Sequence, residues 1–333
     1  MAGSRLRPRQ RKLNKTQSLL IAVALILALL LLGYFLLFRE PEQKPQLPQD
    51  MLEEVMGSGD LTEEEVEALR SHYERKNDFY TILLSGVDSG SGGSDTNILV
   101  AVDAGSDRIY GVSIPRDTKA IINGKERKLN AAYAIGGMEL LAEVVSEQLG
   151  VPVDYTVKVD LKGFEALVDE IGGVEFNIPI DMDYDDPYQD LSIHFTKGVR
   201  HLNGEEALKV IRFRHNNDGT GYGSEDIGRM RTQQNFLKSV AKQTLTVSNL
   251  GKIDEFVKIF KAYVETDLTI RNLAWLGKEA ISIGSDNLEF STLPGQWENP
   301  YIHLDREATL QLINEHLNPY VEDRRMEDLK IPS

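Results

Sequence analysis

Two aspartates, Asp88 and Asp95, bracket the Gly- and Ser-rich run in "GVDSGSGGSDT", residues 86 to 96. Asp88 follows one strand-like segment and Asp95 precedes the next. Both carboxylates can therefore meet at one rim of a sheet, where loops at strand ends commonly receive ligands. Two hard oxygen donors suit Mg2+, which takes one or two carboxylates and completes its shell with water and substrate phosphate. The plainer alternative is a hairpin turn whose aspartates hydrogen-bond the backbone. On this stretch alone both readings stand.

A second group of residues points to anion chemistry. "RFRHNNDGTGYGSEDIGRMRTQQ", residues 212 to 234, holds Arg212, Arg214, Arg229 and Arg231 in a chain of 333 residues with a formal net charge of −15. The spacing of Arg212 and Arg214 predicts one side of an extended segment. "GRMRTQQNFLK" reads as a helix start, whose free N–H groups favour bound anions. Guanidinium groups chelate phosphate oxygens two at a time and do not titrate away, so this convergence reads as a pyrophosphate clamp. The competing reading is a solvated basic face balanced by Asp218, Glu225 and Asp226. Clustering against an acidic background favours the clamp. "SIPRDT", residues 113 to 118, adds Arg116 and Asp117 just past a strand that Pro115 stops. By itself such a pair is a surface ion pair of small energetic consequence.

Other chemistries are excluded or weakened. There is no cysteine, so thiol nucleophiles and cysteine zinc sites are ruled out, and none of the six histidines falls in an HExxH. Neither GxSxG nor a Walker A run is present. The negative charge argues against nucleic acid as a partner. "DMDYDDPYQD", residues 181 to 190, has Asp186 where a calcium-binding EF-hand loop needs Gly and Ser192 where it needs Glu, so it is expected to be an acidic surface loop.

The elements that must position these residues alternate. "YTILLSGVD", "TNILVAVDA" and "IYGVSIP" read as strands. "LNAAYAIGGMELLAEVVSEQLG" has the rhythm of a helix or a helix pair closed by Gly150. A strand ("YTVKVD"), a helix ("LKGFEALVDEIGG") and a strand ("VEFNIPI") follow. After Gln233 the pattern is mainly helical, with one strand near "LEFSTLP" and a helical subdomain after 245 as an option. The expected fold is α/β, a layered α-β-α domain with a central mixed sheet, running from about Asn77 to residue 333 with its core at 80 to 245.

Ahead of the domain, residues 1 to 40 carry +6 and the remainder −21. Ser18 to Phe38 contains no charge and is long enough to cross a bilayer as one transmembrane helix. No cleavage pattern follows, so a retained anchor is expected, with the basic tail 1–17 in the cytosol and the domain outside. Residues 39 to 76 read as a juxtamembrane spacer that holds a short helix capped by Thr62.

Taken together, the anchor, "GVD", "SDT", "SIPRD", "KLNAAYAIGG", "HLNGEEALKVIRFRH" and "DIGRMRTQQ" resemble the LytR-CpsA-Psr family over roughly Tyr80 to Leu245. The resemblance implies a phosphotransferase at the outer face of the membrane of a Gram-positive bacterium. It would move a glycopolymer, of teichoic acid or capsule type, from an undecaprenyl pyrophosphate carrier to a peptidoglycan hydroxyl. It implies Asp88 and Asp95 as holders of Mg2+ and Arg116, Arg212, Arg214, Arg229 and Gln233 on phosphate oxygens, with the polyprenyl tail in an apolar groove under the sheet. The acceptor hydroxyl needs a base, for which Asp95 and Asp226 are the candidates, or enough metal-assisted polarisation to manage without one. Two departures from the family pattern stand out: Gly93 and Ser94 precede Asp95 where Arg is frequent, and Thr232 replaces an Arg before the Gln-Gln pair, with Arg231 one position earlier. Two further readings remain: a non-catalytic module that binds polyprenyl pyrophosphate or polymer, and a transcriptional regulator. The latter is opposed by the 17 residues expected in the cytosol.

Overall fold

A computed structural model describes residues 40–43, 62–87, 94–188, 191–222, 225–244 and 253–332, without the side chains of residues 63, 95, 225–227, 229, 230, 253, 254 and 257. The predicted tail 1–17 and span 18–38 lie outside the described residues. Among the described residues no helix is long and apolar enough to cross a membrane.

The elements run α1 (Glu63–His72), β1 (Phe79–Val87), β2 (Ser94–Asp103), β3 (Arg108–Ile114), β4 (Lys119–Ile122), β5 (Lys125–Lys128), α2 (Asn130–Leu149), β6 (Tyr155–Asp160) and α3 (Leu161–Glu170). Next come β7 (Val174–Ile178), β8 (Met182–Asp186), β9 (Leu191–Phe195), β10 (Gly198–Leu202), α4 (Gly204–Arg212) and α5 (Glu225–Thr244). The chain closes with α6 (Ile253–Tyr263), β11 (Val264–Thr266), α7 (Ile270–Ile283), β12 (Leu288–Thr292), β13 (Gly295–Glu298), β14 (Tyr301–Leu304) and α8 (Arg306–Leu312).

Six strands form the central sheet in the order β11-β6-β1-β2-β3-β12. β1 pairs parallel to β6 and β3 parallel to β12, whereas β2 is antiparallel to both β1 and β3. The sheet is thus mixed, as the sequence predicts. β1 is buried along nearly its whole length because helices cover both faces, and its run of Ile and Leu is what such a strand requires. On one face α2 packs Leu141, Val145 and Leu149 into a cluster with Leu83, Leu99 and Val112. On the other, Trp275, Leu276 and Ala280 of α7 cover Tyr80, Ile82 and Val102. A third cluster lies among α3, α4, α5 and the two hairpin-like pairs β7–β10 and β8–β9, centred on Phe176, Phe213 and Phe236.

The helix predicted after residue 128 is a helix pair, interrupted at Gly136 and Gly137, and it ends where Gly150 adopts the left-handed conformation (φ 65°, ψ 22°) that glycine reaches without strain. Thr62 caps α1 in a reciprocal box with Glu65. Two expectations need correction. Residues 182–186 are strand β8 and not a loop, because Met182 is buried and pairs with Phe195 while Asp183 and Asp185 face solvent around His194. The strand expected near "LEFSTLP" is β12, but the region after 245 is not a separate helical subdomain, since it also supplies β11 and these two are the edge strands of the central sheet.

Candidate functional site at the strand ends

Strands β1, β3, β6 and β12 all point the same way, so their C-terminal ends and the start of β2 share one rim. This is the edge at which α/β sheets hold ligands. The β1–β2 register runs Gly86↔Thr96 and then Val87↔Ser94, which leaves Asp95 as the unpaired residue of a bulge. Bulges recur beside active sites because they break the regular alternation of side chains. Asp88 lies outside the described residues, as does the side chain of Asp95. Flanking Asp95, Ser94 Oγ and Asn97 Nδ2 are buried and have no hydrogen-bond partner among the described residues, while Asn97 Oδ1 accepts from Ser85 Oγ at 2.9 Å. Buried polar atoms left open call for a partner beyond the protein groups described.

Arg116 forms the next part of the rim. The last recorded β2–β3 pair here is Asn97↔Ile114, and two residues further along each strand stand Asp95 and Arg116. The turn that holds Arg116 is fastened on both sides. Its carbonyl accepts the Asn130 N–H at the start of α2 (3.0 Å), and Thr118 N–H donates back to the Pro115 carbonyl (3.0 Å). Asp117 Oδ1 lies 3.8 Å from Arg116 Nε and 3.1 Å from Lys128 Nζ, and the Arg116 side chain keeps 41% exposure. The backbone is fixed while the guanidinium stays partly exposed at the rim.

The remaining arginines arrive on helices. Arg212 is the last residue of α4, and Arg214 follows the extended Phe213, whose ring is buried against Tyr222. The expected extended pair of Arg212 and Arg214 is therefore corrected: Arg212 still belongs to α4, whose buried face reaches Val210, and the chain becomes extended only at Phe213. Arg214 is exposed. Asp218, proposed as a counter-charge for the arginines, is instead taken up by its own turn. It accepts both the Thr220 hydroxyl (2.6 Å) and the Thr220 N–H (2.8 Å), and these bonds hold its carboxyl below the usual carboxylate range.

Helix α5 joins these pieces through its glutamines. Gln233 Nε2 donates to the Ile211 carbonyl at the end of α4 (3.0 Å), and Gln234 Nε2 donates to Thr292 Oγ1 at the end of β12 (2.8 Å). The Gln-Gln pair is a strut between the arginine-bearing helix end and the strand rim. Gln233 is thus engaged with the backbone through its amide nitrogen, and Gln234 is a positioning residue that motif reading passes over. Asp226 and Arg229 lie on α5, but their side chains are outside the description. Thr232 is buried, with its hydroxyl bonded to the Gly228 carbonyl (2.9 Å), whereas Arg231 is exposed. The two positions face different surroundings, so Arg231 does not simply replace an arginine at 232.

Comparison with known proteins identifies the chain's family and fold. Residues 53–318 match the model of the LytR_cpsA_psr family. The chain is 32% identical over 270 residues to the polyisoprenyl-teichoic acid–peptidoglycan teichoic acid transferase TagV of Bacillus subtilis, covering 78% of this chain and 65% of that protein. It is 36% identical over 199 residues to the transferase of the same description, TagU, from Bacillus cereus, covering 58% of this chain and 62% of that protein. The matches thus span just under two thirds of these relatives' lengths. The crystal structure of B. subtilis TagV superposes with a TM-score of 0.62 at 30% identity, over 74% of this chain and all of that one.

Proposed function

The chain belongs to the LytR_cpsA_psr family, and from that premise we propose that it is a phosphotransferase that moves an anionic glycopolymer from a polyprenyl pyrophosphate carrier to peptidoglycan. The observation that carries the reading is the strut of Gln233 and Gln234. It draws the end of α4, with Arg212, to the same rim as Arg116 and the Asp95 bulge. Phosphoryl transfer asks a protein mainly to position the transferring group and neutralise its developing charge, and a ring of guanidinium groups at a fixed rim does both.

In this reading Arg116, Arg212, Arg214 and Arg229 grip the pyrophosphate oxygens, and Gln233 holds the clamp together. The acceptor hydroxyl oxygen bonds to the phosphorus that carries the glycan. The bond from that phosphorus to the bridging oxygen breaks, and polyprenyl phosphate leaves. The hydroxyl proton passes to a carboxylate, for which Asp95 and Asp226 are the candidates. Asp88 and Asp95 are the carboxylates that would hold Mg2+, a donor set of hard oxygens that fits this ion, beside the buried Ser94 Oγ, which has no hydrogen-bond partner among the described residues. When bound, the metal would offset phosphate charge. The uncharged run Ser18 to Phe38 would keep the domain at the outer surface of the membrane, where the lipid-linked donor is concentrated.

The test is transfer of label from a synthetic polyprenyl pyrophosphate glycan to peptidoglycan fragments, with Mg2+ or EDTA, by the wild-type chain and Arg116→Ala. Metal-dependent product that falls about a hundredfold or more in the variant is the expected result. Tight donor binding without product, across several donors and acceptors, would make the protein a binding module instead.

A further inference from the structure

The hairpin β13–β14 grows directly out of the rim, one turn after β12, and it carries an aromatic side chain that the protein does not bury. Trp297 is 52% exposed on a strand whose four residues are all exposed. A single exposed apolar side chain is common and needs no explanation. Trp297 differs because of where its hairpin is fastened. Ile302, its cross-strand partner, donates its N–H to the Asp117 carbonyl (2.9 Å) and bridges Thr118, so the hairpin is hydrogen-bonded to the turn that presents Arg116.

The side chains repeat that connection. Lys128 Nζ stands 5.6 Å from the centroid of the Trp297 ring and 3.1 Å from Asp117 Oδ1, and Arg116 Nε lies 3.8 Å from the same oxygen. Those three legs together place the indole no further than about 12.5 Å from the Arg116 guanidinium. That is the reach of roughly one or two pyranose rings beyond a phosphate held by Arg116. The Lys128 ammonium lies over the ring and, with Asp117 paired to it, supplies polar groups that match a sugar's hydroxyls, while the electron-rich aromatic face matches a sugar's C–H face.

The geometry points to Trp297 as a stacking platform for a pyranose ring of the glycan next to the transferred phosphate, the Lys128 ammonium lying over the ring and the sugar meeting its exposed surface. The assignment rests on the transferase reading for the neighbouring phosphate, and the ring comes either from the donor glycan or from the acceptor glycan. Trp297 is a specificity residue in this scheme, since it touches sugar and not the reacting atoms.

The experiment uses the full chain in detergent micelles. The protein has two tryptophans, so in a Trp275→Phe background the emission reports Trp297 alone. Chitotriose, the trimer of N-acetylglucosamine, is titrated to about 20 mM, where even a ~10 mM site responds. A saturable shift in emission is expected. In parallel, Trp297→Ala is expected to raise one KM about tenfold with little change in kcat, as loss of a stacked ring does elsewhere, and Trp297→Tyr is expected to restore it. The KM that rises names the source: the donor's for the transferred glycan, the acceptor's for peptidoglycan. Absence of a spectral response together with both KM values within twofold of wild type overturns the platform while leaving the transferase standing. If no transfer occurs under any condition, the transferase reading fails and the titration alone decides the platform: a saturable shift retains it, and a flat response removes it.

Discussion

At the scale of single residues, the rim divides into groups that would touch phosphate and groups that hold them in place. Arg116 belongs to the first kind. Its backbone carbonyl anchors α2 whatever the side chain is, so substitution separates chemistry from folding. Arg116→Lys keeps the charge but loses the two-pronged donor. It is expected to retain the melting temperature and to lower transfer about tenfold or more, with Arg116→Ala lower still at ~10²–10³. Initial rates beside thermal melts check both. Gln234 belongs to the second kind. Gln234→Leu removes the 2.8 Å bond to Thr292, is expected to cost about 1 kcal/mol, and is expected to slow transfer by loosening α5 from the rim. If the bond is the cause, combining it with Thr292→Val costs little more than either change alone. Additive effects measured by urea denaturation would count against the strut.

At the scale of elements, the arginine-bearing end of α4 depends on how its other end crosses α3. A Cβ at Gly204 would stand 2.2 Å from the Glu165 carbonyl oxygen, so the two helices meet backbone to backbone. The Gly204 N–H also donates to Asp169 Oδ1 at 2.8 Å. Gly204→Ala sets a helix-propensity gain of about 1 kcal/mol against a backbone clash, and the clash wins because no flexible side chain can yield. The expected outcome is a net loss of about 1–3 kcal/mol in a urea melt and a weaker affinity for the pyrophosphate donor, since α4 shifts as a rod with Arg212 at its far end. Unchanged stability would mean that α3 and α4 part without cost. The same scale shows what was legible beforehand. The long apolar strands β1, β2 and β3 and the glycine-closed helix before Val151 could be read because burial on both faces leaves continuous apolar runs. Strand β8 was hidden by its acids, whose alternation with Met182 and Tyr184 was the available signal. The hairpin β4–β5 turns at Asn123-Gly124, both with positive φ, a pairing that favours tight hairpins, yet its strands are too short and charged to announce themselves. The spacing of Arg212 and Arg214 predicts one side of an extended segment because i, i+2 spacing carries no information about a helix that ends between them. The role of Gln234 was invisible, since its partner Thr292 is 58 residues away and only tertiary packing joins them.

At the scale of the whole molecule, the two ends of the described chain close on each other at the edge opposite the rim. Arg75 makes a two-pronged buried ion pair with Asp154 (both contacts 2.8 Å) and bridges Tyr320, while the buried Arg324 stacks 4.1 Å from the Tyr320 ring. Upstream, Gln43 donates to the Lys76 and Phe79 carbonyls, Tyr155 donates to the Glu42 carbonyl, and Tyr80 donates to Glu40. Part of the expected spacer thus packs on the domain. This clasp contains phenols whose titration reports its integrity. Burial, and next the Glu40 carboxylate, raise the Tyr80 phenol above its ordinary value. Burial pushes Tyr320 from 10.0 up to about 12, against the opposing pull of Arg324 and Arg75. A phenol that holds its proton more tightly in the folded chain adds stability that is complete below the unfolded value near pH 10 and disappears as pH rises towards the folded one. For Tyr320 the loss is about 1 kcal/mol by pH 11. Between pH 9 and pH 11 the wild-type chain is therefore expected to lose about 1 kcal/mol more than Tyr320→Phe, which keeps the ring on Arg324 and cannot ionise. Guanidinium melts of both chains at the two pH values measure the difference. Equal losses would mean that the Tyr320 hydroxyl is as wet in the folded chain as in the unfolded one, and that the clasp is open in solution.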